Sequence, residues 1–247
     1  MKIALIQMSS RLYDIESNFE TMKDFIKESI KLGADIIAFP EMNLTGYFYT
    51  PEHLINAIPI DNEYVTKTVG LTKNNDVTLI LGIAETVGDK TFVTQIVAEA
   101  GKIVGTYRKH NIVNLEAKLF HAGDIEPIFV KADKKYGLTI CADIDLSDLF
   151  QTYAQKGCNF VIECASPDLY GNRNPRNWEG GYNWWKNNCI EKIGQYAKDN
   201  KINILVTTQS GRNEQDDFPG GGYLFSSDGK IISGTTDYKQ EILIVTI

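Results

Sequence analysis

The sequence predicts an α/β protein in which two packed, mixed sheets are covered by helices. Three observations carry this. Three stretches repeat one plan: a helical run, a tight turn, a buried strand, then a polar loop. Several strand segments are apolar on consecutive residues, the pattern of strands buried on both faces. Two hairpins with glycine in their turns lie among these units, and helix-strand units mixed with hairpins imply mixed sheets, more strand than one small sheet needs.

In chain order, Met1 to Met8 has one lysine and then about five apolar residues, too few for a signal-peptide core, and reads as the first strand. Ile15, Phe19, Met22, Phe25, Ile26 and Ile30 fall at helical spacing and predict a helix over 16–32. Gly33 ends it, a strand follows over 36–39, and Pro40-Glu41 opens a loop. A buried strand is predicted over 77–84. Strands over 92–98 and 103–107 flank Glu99-Ala100-Gly101-Lys102 as a hairpin. Short strands over 128–130 and 137–140 lead into the second unit, a helix over 146–156, Gly157, a strand over 160–162 and Ser166-Pro167. The third is a helix over 187–200, a strand over 202–207 and the loop Gln209 to Gly211. A second hairpin joins 223–225 to 231–232 through Ser226-Ser227-Asp228-Gly229, and a strand over 242–246 comes last. Residues 168–188 read as a long loop dense in aromatics (Tyr170, Trp178, Tyr182, Trp184, Trp185) with Arg173 and Arg176 among them. No Pro-rich, Ser-rich or single-charge stretch divides the chain, so one domain over 1–247 is expected.

Composition narrows the function. With 43% hydrophobic and 23% charged residues the chain has the makings of a large core, which excludes disordered and fibrous classes. The longest runs without a charge are ten residues, short of the roughly 18–20 that span a bilayer, so no membrane partner is expected. A net charge of −7 without a basic stripe argues against nucleic acid. Cys141, Cys158, Cys164 and Cys189 match no zinc spacing and are sparse for a disulfide scaffold, and the three histidines form no His-x-x-x-His pair. Reduced thiols, no metal and a cytoplasmic protein are the expectations.

Working residues of buried α/β sheets usually lie just past strand carboxyl ends. Glu41, Cys141 and Ser166-Pro167 occupy such places. Each has a plain alternative: a core cysteine, a capping carboxylate, or, for Lys109 in Tyr107-Arg108-Lys109-His110, a solvated basic loop. Together the residue types make chemistry. A lysine ammonium stabilises a thiolate, a carboxylate takes the thiol proton, and the lysine can serve the oxyanion formed when a carbonyl or nitrile carbon is attacked. A buried Lys109 would also make the local field positive. Spacing alone does not show that these segments converge.

The motifs resemble those of the nitrilase, or carbon-nitrogen hydrolase, superfamily nearly end to end. Ala34 to Glu41 with Leu44-Thr45-Gly46-Tyr47 is similar to its glutamate motif, Tyr107 to His110 to its lysine motif, and Tyr136 to Asp143 to its nucleophile motif. Glu116, with Phe120 and Gly123 behind it, fits the second glutamate; Ala165-Ser166-Pro167 and Phe218-Pro219-Gly220-Gly221 also match. The resemblance implies an αββα four-layer sandwich, no cofactor, and hydrolysis through a cysteine thioester. It makes Glu41 the general base, Lys109 and the Ala142 N–H the oxyanion donors, Cys141 the nucleophile and Glu116 the holder of Lys109. Tyr47, Ala142, Ser166 and Trp178 are the expected substrate-binding residues.

Ala142-Asp143-Ile144 stands where true nitrilases usually carry Trp-Glu, which favours a small linear amide over a nitrile. The family's arginine-rich helix is replaced by Cys189 to Ala197, and Gly222 stands where serine is common. An arginine between Asp168 and Asn188 could receive a substrate carboxylate. The family also suggests a homodimer or higher homo-oligomer. The alternatives are an N-carbamoyl amide hydrolase or an acyltransferase using the same thioester, a small-molecule binding protein that keeps the fold without catalysis, and a thiol-redox protein. Binding alone predicts loss of Glu41, Lys109 or Cys141, and none is lost; Cys141 has no adjacent resolving cysteine for redox work.

Overall fold

The computed structural model describes residues 1–167, 177–213 and 216–247. The first half of the chain lays down β1 (Lys2–Gln7), α1 (Ile15–Lys31), β2 (Ile36–Ala38), α2 (Glu63–Gly70), β3 (Thr78–Val87), β4 (Lys90–Glu99) and β5 (Lys102–Arg108). The second lays down β6 (Phe129–Lys131), β7 (Lys134–Ile140), α3 (Ser147–Gln155), β8 (Phe160–Ala165), α4 (Trp178–Asn188), a π-helical turn (Cys189–Gly194), α5 (Gln195–Asn200) and β9 (Asn203–Thr208). A ribbon of β10 (Ser210–Arg212) and β11 (Asp217–Pro219) follows, then β12 (Tyr223–Phe225), β13 (Ile231–Gly234) and β14 (Glu241–Thr246).

Two six-stranded sheets result, ordered β14-β1-β2-β3-β4-β5 and β13-β12-β9-β8-β7-β6. Each is parallel at its centre, β1-β2-β3 in one and β7-β8-β9 in the other, and antiparallel elsewhere. The mixed sheets and covering helices expected from the sequence are therefore present. The packing follows from the pattern of apolar residues. Asp14 caps α1 by accepting from the Ser17 N–H, and Phe19, Met22 and Ile26 bury the inner stripe against Ile6, Ile37 and Leu81 of the first sheet, worth about 1.5–3 kcal/mol for each large side chain. The other face of that sheet meets the second across a larger core that includes Ile3, Ile36, Tyr136 and Ile162. The same cluster continues through the second sheet to Phe150 and Tyr153 of α3 and to Ile193 and Ala197 beyond α4.

The sheets are stitched at the carboxyl ends of their central strands. Ser210 N–H donates to the Met8 carbonyl at 2.8 Å, and the Thr207 hydroxyl, at the end of β9, donates to the Ile6 carbonyl of β1. One expectation is corrected. The third helix begins at Trp178, not near 187, so the carboxyl part of the expected aromatic loop is helix α4. Asn177 caps it, and Trp185 is buried with its indole N–H on the Gly221 carbonyl at 3.0 Å. Tyr170, Arg173 and Arg176 lie outside the described residues. Helix α2 and the β10-β11 ribbon were not foreseen. Among the described residues no helix is long and apolar enough to cross a membrane.

Candidate active site

Glu41 sits one residue past Pro40, where the chain leaves β2. Its backbone is held against β3 by Gly82, because a β-carbon there would come within 2.5 Å of the Met42 nitrogen and 2.6 Å of the Pro40 oxygen. Asn43 accepts from the Gly82 N–H at 2.7 Å and Gln95 donates to the Pro40 carbonyl at 3.1 Å, completing the seat. The Glu41 side chain is fully buried. Lys109 follows β5, its carbonyl fixed by the Gly123 N–H at 2.8 Å. Cys141 follows β7 at φ 46°, a left-handed conformation that non-glycine residues adopt at a cost of about 1–3 kcal/mol. A single-turn helix over Cys141–Asp145 starts at that point. Cys141 is partly exposed, whereas Cys158, Cys164 and Cys189 are buried.

These segments converge. Lys109 Nζ lies 2.8 Å from Glu41 Oε1 and 2.8 and 3.1 Å from the two oxygens of Glu116. Glu41 Oε2 has no hydrogen-bond partner, and the Cys141 thiol lies close enough to the Glu41 carboxylate for each to shift the other's ionisation. Tyr47 donates to Glu116 Oε1 at 3.0 Å, which puts Tyr47 on the carboxylate that holds the lysine. The Ser166 hydroxyl reaches the Glu41 carbonyl at 3.0 Å and Gln209 Oε1 at 3.2 Å, and the Ala142 carbonyl accepts from Asn111 at 2.7 Å.

Asp143 is the residue that sequence reasoning passed over. Fully buried, it accepts from the Tyr107 hydroxyl at 2.6 Å and from the backbone N–H groups of His110, Asn111 and Ile140 at 3.1, 2.7 and 2.9 Å. One carboxylate thus fastens the lysine segment to the nucleophile turn. The signal was present as an acid two residues after the cysteine.

The electrostatics follow from burial. Loss of water pushes Glu41 up to about 7; Lys109 opposes this, Glu116 adds to it, and the neighbouring Cys141 thiol opposes it in turn. Burial alone would lower Lys109, but Glu41 and Glu116 outweigh it and hold the ammonium well above its ordinary value. Cys141 is pushed well up, first by loss of water and then by Glu41, with Lys109 opposing. Lys109 works against the raised value of the thiol without cancelling it, because its ammonium is shared between two carboxylates.

A family model described as carbon-nitrogen hydrolase matches residues 2–247. The chain belongs to that family. Among the relatives of this chain, a glutamine-dependent NAD(+) synthetase of Acinetobacter baylyi is 25% identical over 98% of the chain, which spans only 43% of the synthetase. A nitrilase of Pyrococcus abyssi is 25% identical over 100% of the chain and 89% of its own length. An amidase from Nesterenkonia sp. superposes with a TM-score of 0.83 at 18% identity, covering 99% of this chain and 89% of that one. Other structures of the Nesterenkonia amidase include a mutant in complex with butyramide and another with the acetamide moiety of fluoroacetamide added covalently to its active-site cysteine.

Trp178 lies in a different cavity. It stacks on Tyr238 with ring centroids 5.6 Å apart and lines a cavity of about 640 Å³ with Glu179, Tyr182 and Asp237. Glu41, Lys109, Glu116 and Cys141 are not among that cavity's lining residues.

Proposed function

We propose that the chain, acting as one domain, hydrolyses the carbon-nitrogen bond of a small linear amide through a thioester on Cys141. What supports this most is the single buried cluster in which Lys109 joins Glu41 and Glu116 and the Cys141 thiol neighbours the Glu41 carboxylate, whose Oε2 has no hydrogen-bond partner. Glu41 takes the thiol proton as sulfur attacks the amide carbon. The oxyanion forms beside the Ala142 N–H and Lys109. Glu41 Oε1 and Glu116 Oε2 engage two of the three ammonium protons, and the third, on the longer 3.1 Å contact to Glu116, can turn to the oxyanion. Glu41 then gives its proton to the departing amine, the carbon-nitrogen bond breaks, and the thioester remains. A water deprotonated by Glu41 opens it, releasing the carboxylic acid and returning the proton to sulfur.

The neighbouring amidase's small amides make such compounds the first to assay. Cys141→Ala is expected to abolish ammonia release from a panel of linear amides and nitriles while circular dichroism stays native. Residual turnover above a tenth of wild type rejects the thioester, and turnover confined to nitriles replaces amide by nitrile hydrolysis.

A further inference from the structure

A fourth buried carboxyl group lies next to the cluster and has no part in the steps above. Glu163 on β8 is fully buried and pairs in register with Thr139 on β7, two residues before Cys141. Side chains alternate along a strand, so Thr139 shares the sheet face of Gly137, over which the Tyr153 ring of α3 lies. On that face the Thr139 hydroxyl donates to Glu163 Oε2, while Glu163 Oε1 has no hydrogen-bond partner.

A buried carboxylate with one donor and a bare oxygen is an unfavourable anion. The groups around it sharpen this. Asp143 in the turn after β7 and Glu41 beyond β2 both disfavour its charge, and Lys109 beyond β5 favours it only weakly. Cys164 on β8 and Cys189 on the π-helical turn are neutral neighbours. Partnering β9 places Val206 beside it, with no charge to offer. The carboxyl group is held well above the usual carboxylate range, by burial first. In the other direction, a charge on Glu163 opposes ionisation of Cys141 and of Tyr107, the tyrosine that binds Asp143.

We propose that Glu163 is a positioning residue for the nucleophile: it ties β7 at Thr139 and, while it keeps its proton, spares Cys141 the charge of a fourth carboxylate beside Glu41, Glu116 and Asp143. Loss of that proton lowers the reactivity of the thiol. The inference rests on Cys141 being the nucleophile, and it gives a place in the reaction to a residue that touches no reacting atom.

Glu163→Gln keeps the shape and an acceptor for Thr139 but removes the charge. In peptide-resolved alkylation with iodoacetamide, the midpoint of Cys141 labelling is expected to fall by about one pH unit in this variant. The alkaline limb of amide turnover should move up with it, and the infrared difference spectrum at neutral pH should lose the carbonyl band of one protonated carboxylic acid. Thr139→Val, which removes the bond and keeps the carboxyl, should shift the labelling midpoint the same way by less, and it serves if Glu163→Gln does not fold. Superimposable labelling curves, or a difference spectrum without that band, overturn the proposal. Separated curves with no turnover of any amide would keep the role of Glu163 and sink the hydrolase reading instead.

Discussion

The two sheets are built on one plan and do different work. From β14 through β5, and from β6 through β13, neighbouring strands run antiparallel, parallel, parallel, antiparallel, antiparallel. In this correspondence β1 matches β7, β2 matches β8, and α1 matches α3 as the crossover between them. Yet β7 ends in the left-handed turn at Cys141, while β1 runs on through Met8 to pair with Gln209. Three residues after β2 comes Glu41; directly after β8 comes Ser166, whose hydroxyl reaches across to the Glu41 carbonyl. The lesson is that one scaffold used twice can carry different residues at its strand ends: on the proposed function, base and lysine come from one sheet and the nucleophile from the other.

The sharpest way to break that division is at the base. Glu41→Gln is expected to lower kcat/KM on the order of 10³-fold. In wild type kcat/KM should rise from the acid side through about pH 7, because burial pushes Glu41 there and only its ionised form accepts the thiol proton. A pH-rate profile flat through that range would show that the first sheet does not supply the base.

Gly82→Ala tests whether the first sheet's scaffold, and not only its glutamate, is needed. The new β-carbon would meet backbone atoms at 2.5 and 2.6 Å, so the Pro40 to Met42 segment must move, and a misplacement near 1 Å costs on the order of 10²-fold in kcat. Activity within a few-fold of wild type, with an unchanged melting temperature, would mean that the segment tolerates displacement. Ser166→Ala probes the contact between the segments that leave β2 and β8 and should be mildest, about 1 kcal/mol or roughly fivefold in kcat/KM. A loss as large as that from Glu41→Gln would make Ser166 part of the chemistry and unbalance the comparison.

What the sequence made legible depended on whether the signal was local. The apolar runs at β3, β8 and β9 and the glycine turn between β4 and β5 are local, and they appear where the pattern put them. Glu41, Lys109 and Cys141 were legible as motifs. Their meeting was not, because it arises from the packing of one sheet on the other across residues far apart in the chain. Helix α4 was hidden for a related reason. Trp-Glu-Gly-Gly-Tyr-Asn has weak helix propensity, and the segment is helical because Asn177 caps it and Trp185 is drawn into the core. How the lysine is shared was hidden as well, since only the geometry reveals that Glu41 and Glu116 both hold it.

The Thr207 hydroxyl, bonded to the Ile6 carbonyl across the two sheets, bears on how the molecule tolerates change. Apolar packing between sheets is soft and lets them slide when side chains are exchanged, whereas a hydrogen bond at the catalytic end acts as a pin. Variation accumulating in the far part of the core would then be absorbed as altered rigidity there, with the spacing between glutamate and cysteine held constant. A chain so pinned can diverge widely in sequence and still keep its reacting groups in step.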